Sequence, residues 1–276
     1  MGSGEPSGTL PQVPRGMQGR GWPAARRPPP ALFHGGGSLQ WLRMSWTEQD
    51  PPRLPPAVDE VALVLTAEDG VRLEGRLHRP ARARGAAVLC HPHPPQGGTM
   101  DNKVVVACTR ALAAAGLCTL RFNFRGVGQS EGAHSGGAAE VADVRAALAA
   151  LAVELGEREG AAAPVLLGYS FGSMMAAAAV TAGARVSQLL LVGPPLGLRP
   201  RLPRATADAP SPPLPAGGLR VLLGDGDALC PLDEARRFVA SYDDARARLT
   251  IIEGADHFFH GRLGPLARAV HGAVAP

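Results

Sequence analysis

The chain has 276 residues, of which 45% are apolar and 19% charged, the proportions of a soluble globular protein long enough to bury a substantial core. Its net charge of +4 does not mark a polyanion-binding face, because Arg15, Arg20, Arg26, Arg27 and Arg43 stand in the first 43 residues with Glu5 as the one acid among them, and no basic stripe interleaved with aromatics follows. Nucleic acid is therefore set aside as a partner, and so is a membrane span, since no apolar run nears the roughly 18 residues that one needs.

In chain order, residues 1–57 are rich in Pro, Gly and Arg and lack both the period-2 and the period-3.6 apolar signal, so a disordered tail is expected there, with the folded domain over 58–276. Met44 offers an alternative start. No apolar core follows Met1 as a secretory signal requires. Cys90, Cys108, Cys118 and Cys230 form no C-x-x-C pair and lie in or beside apolar runs, the pattern of buried free thiols in a reducing compartment. The expected location is the cytoplasm. Organelle targeting through the Arg-rich tail is the alternative, opposed by its prolines.

After Val58 strand and helix signals alternate, as in a parallel sheet with crossover helices. Strands are predicted at 60–66, 71–78, 86–91, 118–124, 164–169, 188–193, 219–224 and 248–253. Helices are predicted at 101–115, 138–155, 171–182, 233–243 and 262–273. Asp69-Gly70 is a hairpin turn signal, so an antiparallel pair should lead into a parallel run, giving eight strands in a mostly parallel sheet with helices on both faces.

Within this pattern Gly168-Tyr169-Ser170-Phe171-Gly172 is a G-x-S-x-G sequence between a strand and an alanine-rich helix, the setting of a nucleophile elbow. A serine hydroxyl is a poor nucleophile unless a base and an orienting carboxylate lie within reach. The seventh strand opens into GDGD, where Asp225 or Asp227 can supply the carboxylate, and His257 follows the eighth strand, with His260 the weaker choice because a helix starts beyond it. The order Ser, Asp, His is that of α/β-hydrolase sheets. A serine that merely caps a helix would leave the other two unexplained.

These residues resemble the α/β-hydrolase superfamily from about Val61 to Val270, and HPHPPQGGTMDNKVV (91–105) with LRFNFRGVGQSEG (120–132) resembles its small, capless bacterial-type hydrolases and esterases. The resemblance implies an α/β-hydrolase fold without a substantial cap domain. It also implies an acid in a G-x-x-D motif, which selects Asp227 after Gly224. The oxyanion hole takes one amide from the residue after the nucleophile, Phe171, and one from the loop after the third strand. In that loop Pro92, Pro94 and Pro95 have no amide hydrogen, which leaves His91, His93 and Gln96. Aligned with the superfamily's His-Gly-x loop, His93 is the donor.

Two other readings fit less well. His91-x-His93 has a metal-ligand spacing, but no nearby Asp-His pair completes a metallohydrolase cluster. Gly126, Gly128 and Gly132 follow a strand with the spacing G-x-G-x-x-x-G, not that of a dinucleotide loop, and read instead as a tight turn beside which Arg125 is a structural ion-pair partner. Asn102 and Lys103 read as solvated first-turn residues, Cys230 as packing, and Tyr169 and Phe171 as walls of the site. The expected activity is hydrolysis of an ester-like bond in a small acyl substrate through an acyl-enzyme on Ser170, with no cofactor and no metal. Amide, peptide or thioester hydrolysis by the same groups is the alternative, as is a binding module that kept the fold.

Overall fold

Asp69 and Gly70 turn the chain back on itself: the Gly70 amide donates to the Ala67 carbonyl at 2.9 Å and the Ala67 amide to the Val71 carbonyl at 2.9 Å. The turn joins strands β1 (Val58–Thr66) and β2 (Arg72–Arg79), which pair antiparallel with Thr66 opposite Arg72. The structure is a computed structural model that describes residues 58–156, 162–201 and 213–275. The expected tail, 1–57, lies outside the described residues.

β2 pairs antiparallel with β4 (Leu117–Phe122), and from β4 onward the sheet is parallel through β3 (Gly85–Cys90), β5 (Val165–Tyr169), β6 (Gln188–Val192), β7 (Leu219–Gly224) and β8 (Ala247–Ile252). Among the described residues it is one eight-stranded sheet in the order β1-β2-β4-β3-β5-β6-β7-β8. The runs VLLGY and QLLLV are apolar without alternation because both faces of these central strands are covered, and every one of their residues is buried.

The two covers are distinct. Helices α2 (Glu140–Leu155), α3 (Phe171–Thr181) and α4 (Leu232–Ala240) bury Val144, Leu151, Met175, Ala179, Ala235 and Phe238 against one face. Helices α1 (Lys103–Ala114) and α5 (Leu263–Val274) pack together and bury Val105, Cys108, Leu112, Leu266 and Val270 against the other. All four cysteines are free and buried. No helix among the described residues is long and apolar enough to cross a membrane.

Because the central strands run parallel, the loops after β3, β5, β7 and β8 gather at one end of the sheet, where such folds place their ligands. Those loops carry His91 and His93, Ser170, Asp227, and His257. The connection from β6 to β7 begins with a short 3-10 turn, Leu196–Arg201, and spans only 193–218, too little chain for a cap domain.

Candidate active site

Ser170 sits between β5 and α3 with φ 53° and ψ −120°, a backbone conformation that few residues other than glycine adopt. The two flanking glycines allow it. A Cβ on Gly168 would lie 2.2 Å from the Gly172 carbonyl oxygen, and a Cβ on Gly172 would lie 2.4 Å from that of Cys90. The elbow therefore closes only without side chains at both positions. Ser173, one helical turn in, donates its hydroxyl to the Ser170 carbonyl, and the Ser170 amide donates to Val192 of the neighbouring strand at 2.9 Å.

His257 lies 3.0 Å from the Ser170 Oγ through Nε2, while its Nδ1 faces Asp227 at 2.8 Å from Oδ2 and 3.0 Å from Oδ1. All three side chains are buried. Asp227 is held in turn by the amides of Leu229 and Cys230, each donating to Oδ1 at 2.9 Å. A carboxylate fixed this way keeps the proton of the neutral imidazole on Nδ1 and turns the bare Nε2 toward the serine. Asp225 is used elsewhere: its Oδ1 accepts from the Gly254 amide at 2.8 Å and ties the β7 loop to the turn after β8. His260 is exposed and lies 2.6 Å from Asp256 through Nδ1.

Among the described residues, the Phe171 and His93 amides donate to no acceptor. The Phe171 amide opens α3, whose positive end favours developing negative charge. His93 stands beside it, their ring centroids 5.3 Å apart. His91 has a different task, which the sequence did not disclose. Its Nδ1 lies 2.6 Å from the Pro92 carbonyl and its Nε2 accepts from the Phe124 amide at 3.0 Å, so the ring joins the loop after β3 to the loop after β4. Burial pushes its pKa down to about 4, keeping it neutral and able to accept that bond. With both nitrogens engaged it has no lone pair for a metal, and among the described residues no group of three His, Cys, Asp or Glu could hold one.

Tyr169 does not wall the site. Its ring is buried on the far face of the sheet, and its hydroxyl donates to the His257 carbonyl at 3.0 Å, supporting the histidine from behind. Burial, with the charge of Asp227, pushes the Cys230 thiol up to about 12, so it stays protonated and serves packing. Asn102 caps α1 by accepting from the Val104 amide at 2.9 Å, and Lys103 is exposed. Arg125 is an ion-pair partner as expected: it reaches Asp143 at 2.6 Å and Asp69 at 2.7 Å, fastening the glycine-rich turn to α2 and to the β1–β2 hairpin.

A solved α/β serine hydrolase homologue from Coxiella burnetii is 32% identical to this chain, covering 78% of it and 97% of the homologue, with a TM-score of 0.67. The chain belongs to the α/β serine hydrolases. A lid-less α/β serine hydrolase from Xanthomonas campestris is 29% identical over 80% of this hydrolase and 96% of its own chain, with a TM-score of 0.66. An uncharacterized protein of Rickettsia prowazekii is 31% identical over 205 residues, 72% of this chain and 83% of its own. A family model described as serine aminopeptidase, S33, matches residues 81–215.

Proposed function

We propose that this serine hydrolase cleaves carboxylic esters through an acyl-enzyme on Ser170. The reading is carried by the hydrogen-bonded chain from Ser170 Oγ to His257 Nε2 at 3.0 Å and from His257 Nδ1 to Asp227 at 2.8 Å. Ser170 attacks the ester carbonyl as His257 takes its proton, and Asp227 holds the imidazole in the tautomer and orientation that this requires. The oxyanion that forms is met by the amides of Phe171 and His93, which donate to no acceptor among the described residues. His257 then returns the proton to the leaving alcohol, and a water activated by the same ring frees the acyl group. No step draws on a cofactor or a metal. The four buried thiols fit a reducing compartment such as the cytoplasm.

A fluorophosphonate probe should label the wild type at Ser170 and leave Ser170→Ala unlabelled, and silence in the wild type would favour a binding module. Turnover of short p-nitrophenyl esters should fall by on the order of 10^4 or more in Ser170→Ala, His257→Ala and Asp227→Asn, without the losses adding. Damage by Asp225→Asn with Asp227→Asn unharmed would reassign the acid. The serine aminopeptidase description of the matching family model makes peptide bonds the second reading. Aminoacyl p-nitroanilides beside the esters decide between them.

A further inference from the structure

Beside the two unpaired amides, three rings touch pairwise: His93 and His134 have centroids 5.1 Å apart, His93 and Phe171 5.3 Å, and His134 and Phe171 5.4 Å. His134 comes from the long loop between β4 and α2, and behind it lies the fully buried carboxylate of Glu140. Glu140 Oε1 accepts from the Ser135 amide at 2.7 Å and lies 2.8 Å from His134 Nδ1, in ion-pair range though bent away from hydrogen-bond alignment. Its Oε2 accepts from the Gly137 amide at 2.8 Å and from the Ser135 hydroxyl. Burial alone would push this carboxyl up, but those hydrogen bonds outweigh it and hold the group below its ordinary value.

A carboxylate so close to Nδ1 repels a lone pair there, so His134 keeps a proton on Nδ1 and leaves Nε2 for a ligand. Burial and the neighbouring His134 hold His93 below the ordinary imidazole range, so its ring offers one donor and one acceptor. Among the described residues, no hydrogen bond or ion pair engages Nε2 of His134 or either ring nitrogen of His93. The rings packed on Phe171, the residue after the nucleophile, thus carry nitrogens that no group of the described residues engages. A hydroxyl, which can both donate and accept, satisfies such a nitrogen in either protonation state. An alkyl chain would desolvate these nitrogens without replacing their hydrogen bonds.

Building on the proposed ester cleavage, we infer that His93 and His134 are specificity-determining residues for a free hydroxyl on the substrate. The hydrolase then acts on esters that carry an alcohol group near the scissile bond, either on the acyl side, as in a hydroxyacyl ester, or on the alcohol side, as in a polyol monoester.

Two matched pairs separate these sources: ethyl 3-hydroxybutyrate against ethyl butyrate, and glycerol monobutyrate against propyl butyrate, each kcat/KM divided by the ester's own rate of alkaline hydrolysis. The wild type should favour the hydroxylated member of one pair by about tenfold or more. His134→Phe keeps a ring against Phe171 and should bring that ratio to about one, and His93→Phe should do the same while retaining its backbone amide. Ratios near one in both wild-type pairs, or a preference that survives in folded His134→Phe, would overturn the inference and leave ester cleavage standing. If Ser170 takes the fluorophosphonate but none of the four esters is cleaved, the proposed reaction falls and the hydroxyl preference with it. The wild-type ratios decide even if a variant fails to fold.

Discussion

At the scale of single residues, the site depends on which nitrogen of each histidine carries the proton, and neighbours settle that in three different ways. Asp227 sets His257, Glu140 sets His134, and a backbone carbonyl with a backbone amide sets His91. His91 makes the clearest claim about pH. Its folded pKa is about 4 against an ordinary 6.5, so between those values the unfolded chain binds the proton that the folded chain refuses. Its stabilising contribution is therefore complete above about pH 6.5 and is lost as the pH falls toward 4, by on the order of 3 kcal/mol from this residue alone. Urea unfolding from pH 7 to pH 4 should show a flatter dependence in His91→Gln than in the wild type, whatever the variant's absolute stability. Equal slopes would mean that His91 is not held neutral.

At the scale of elements, the strand-turn-helix around Ser170 was legible because its chemistry is local: an apolar run, two small residues and a helix that begins at once. Boundaries were less so. The β4 prediction ran to 124, but the strand ends at Phe122 because the Asn123 side chain accepts from the Met100 amide and donates to Glu74, and the Phe124 amide goes to His91. Long-range polar contacts of this kind leave no periodic signal. The same reason hid the support of His257 by Tyr169 and the burial of Glu140, which reads in sequence as an ordinary acid in a first helical turn. Strand order was hidden too, since β4 pairs with both β2 and β3 only through crossovers. The loop after β3 offers a test at this scale, for it should act through its backbone. With an unhydroxylated ester, His93→Pro deletes the amide proposed as an oxyanion donor and should lower kcat by about 10^2 to 10^3 relative to His93→Ala, which keeps it. Both variants must melt near the wild-type temperature. Equal rates would pass the donor role to another amide of the loop.

At the scale of the whole molecule, one mostly parallel sheet brings four loops from distant parts of the chain to a single end, and among the described residues nothing large is inserted between them. Residues 193–218, the connection from β6 to β7, hold a short 3-10 turn and a proline-rich stretch. With no cap among the described residues, they offer little apolar surface to bury a long acyl chain, so each added methylene beyond the first few stays in water and contributes nothing to binding. Nor do the described residues supply a cover for a lipid surface to displace. Acetate and butyrate esters should therefore be cleaved with higher kcat/KM than dodecanoate esters, and the rate should pass smoothly through the critical micelle concentration of the substrate. A series of p-nitrophenyl esters followed from monomeric to micellar concentrations measures both. A steep rise in rate at the micellar threshold, or a maximum at long chains, would require an apolar cover over Ser170 that the described residues do not supply.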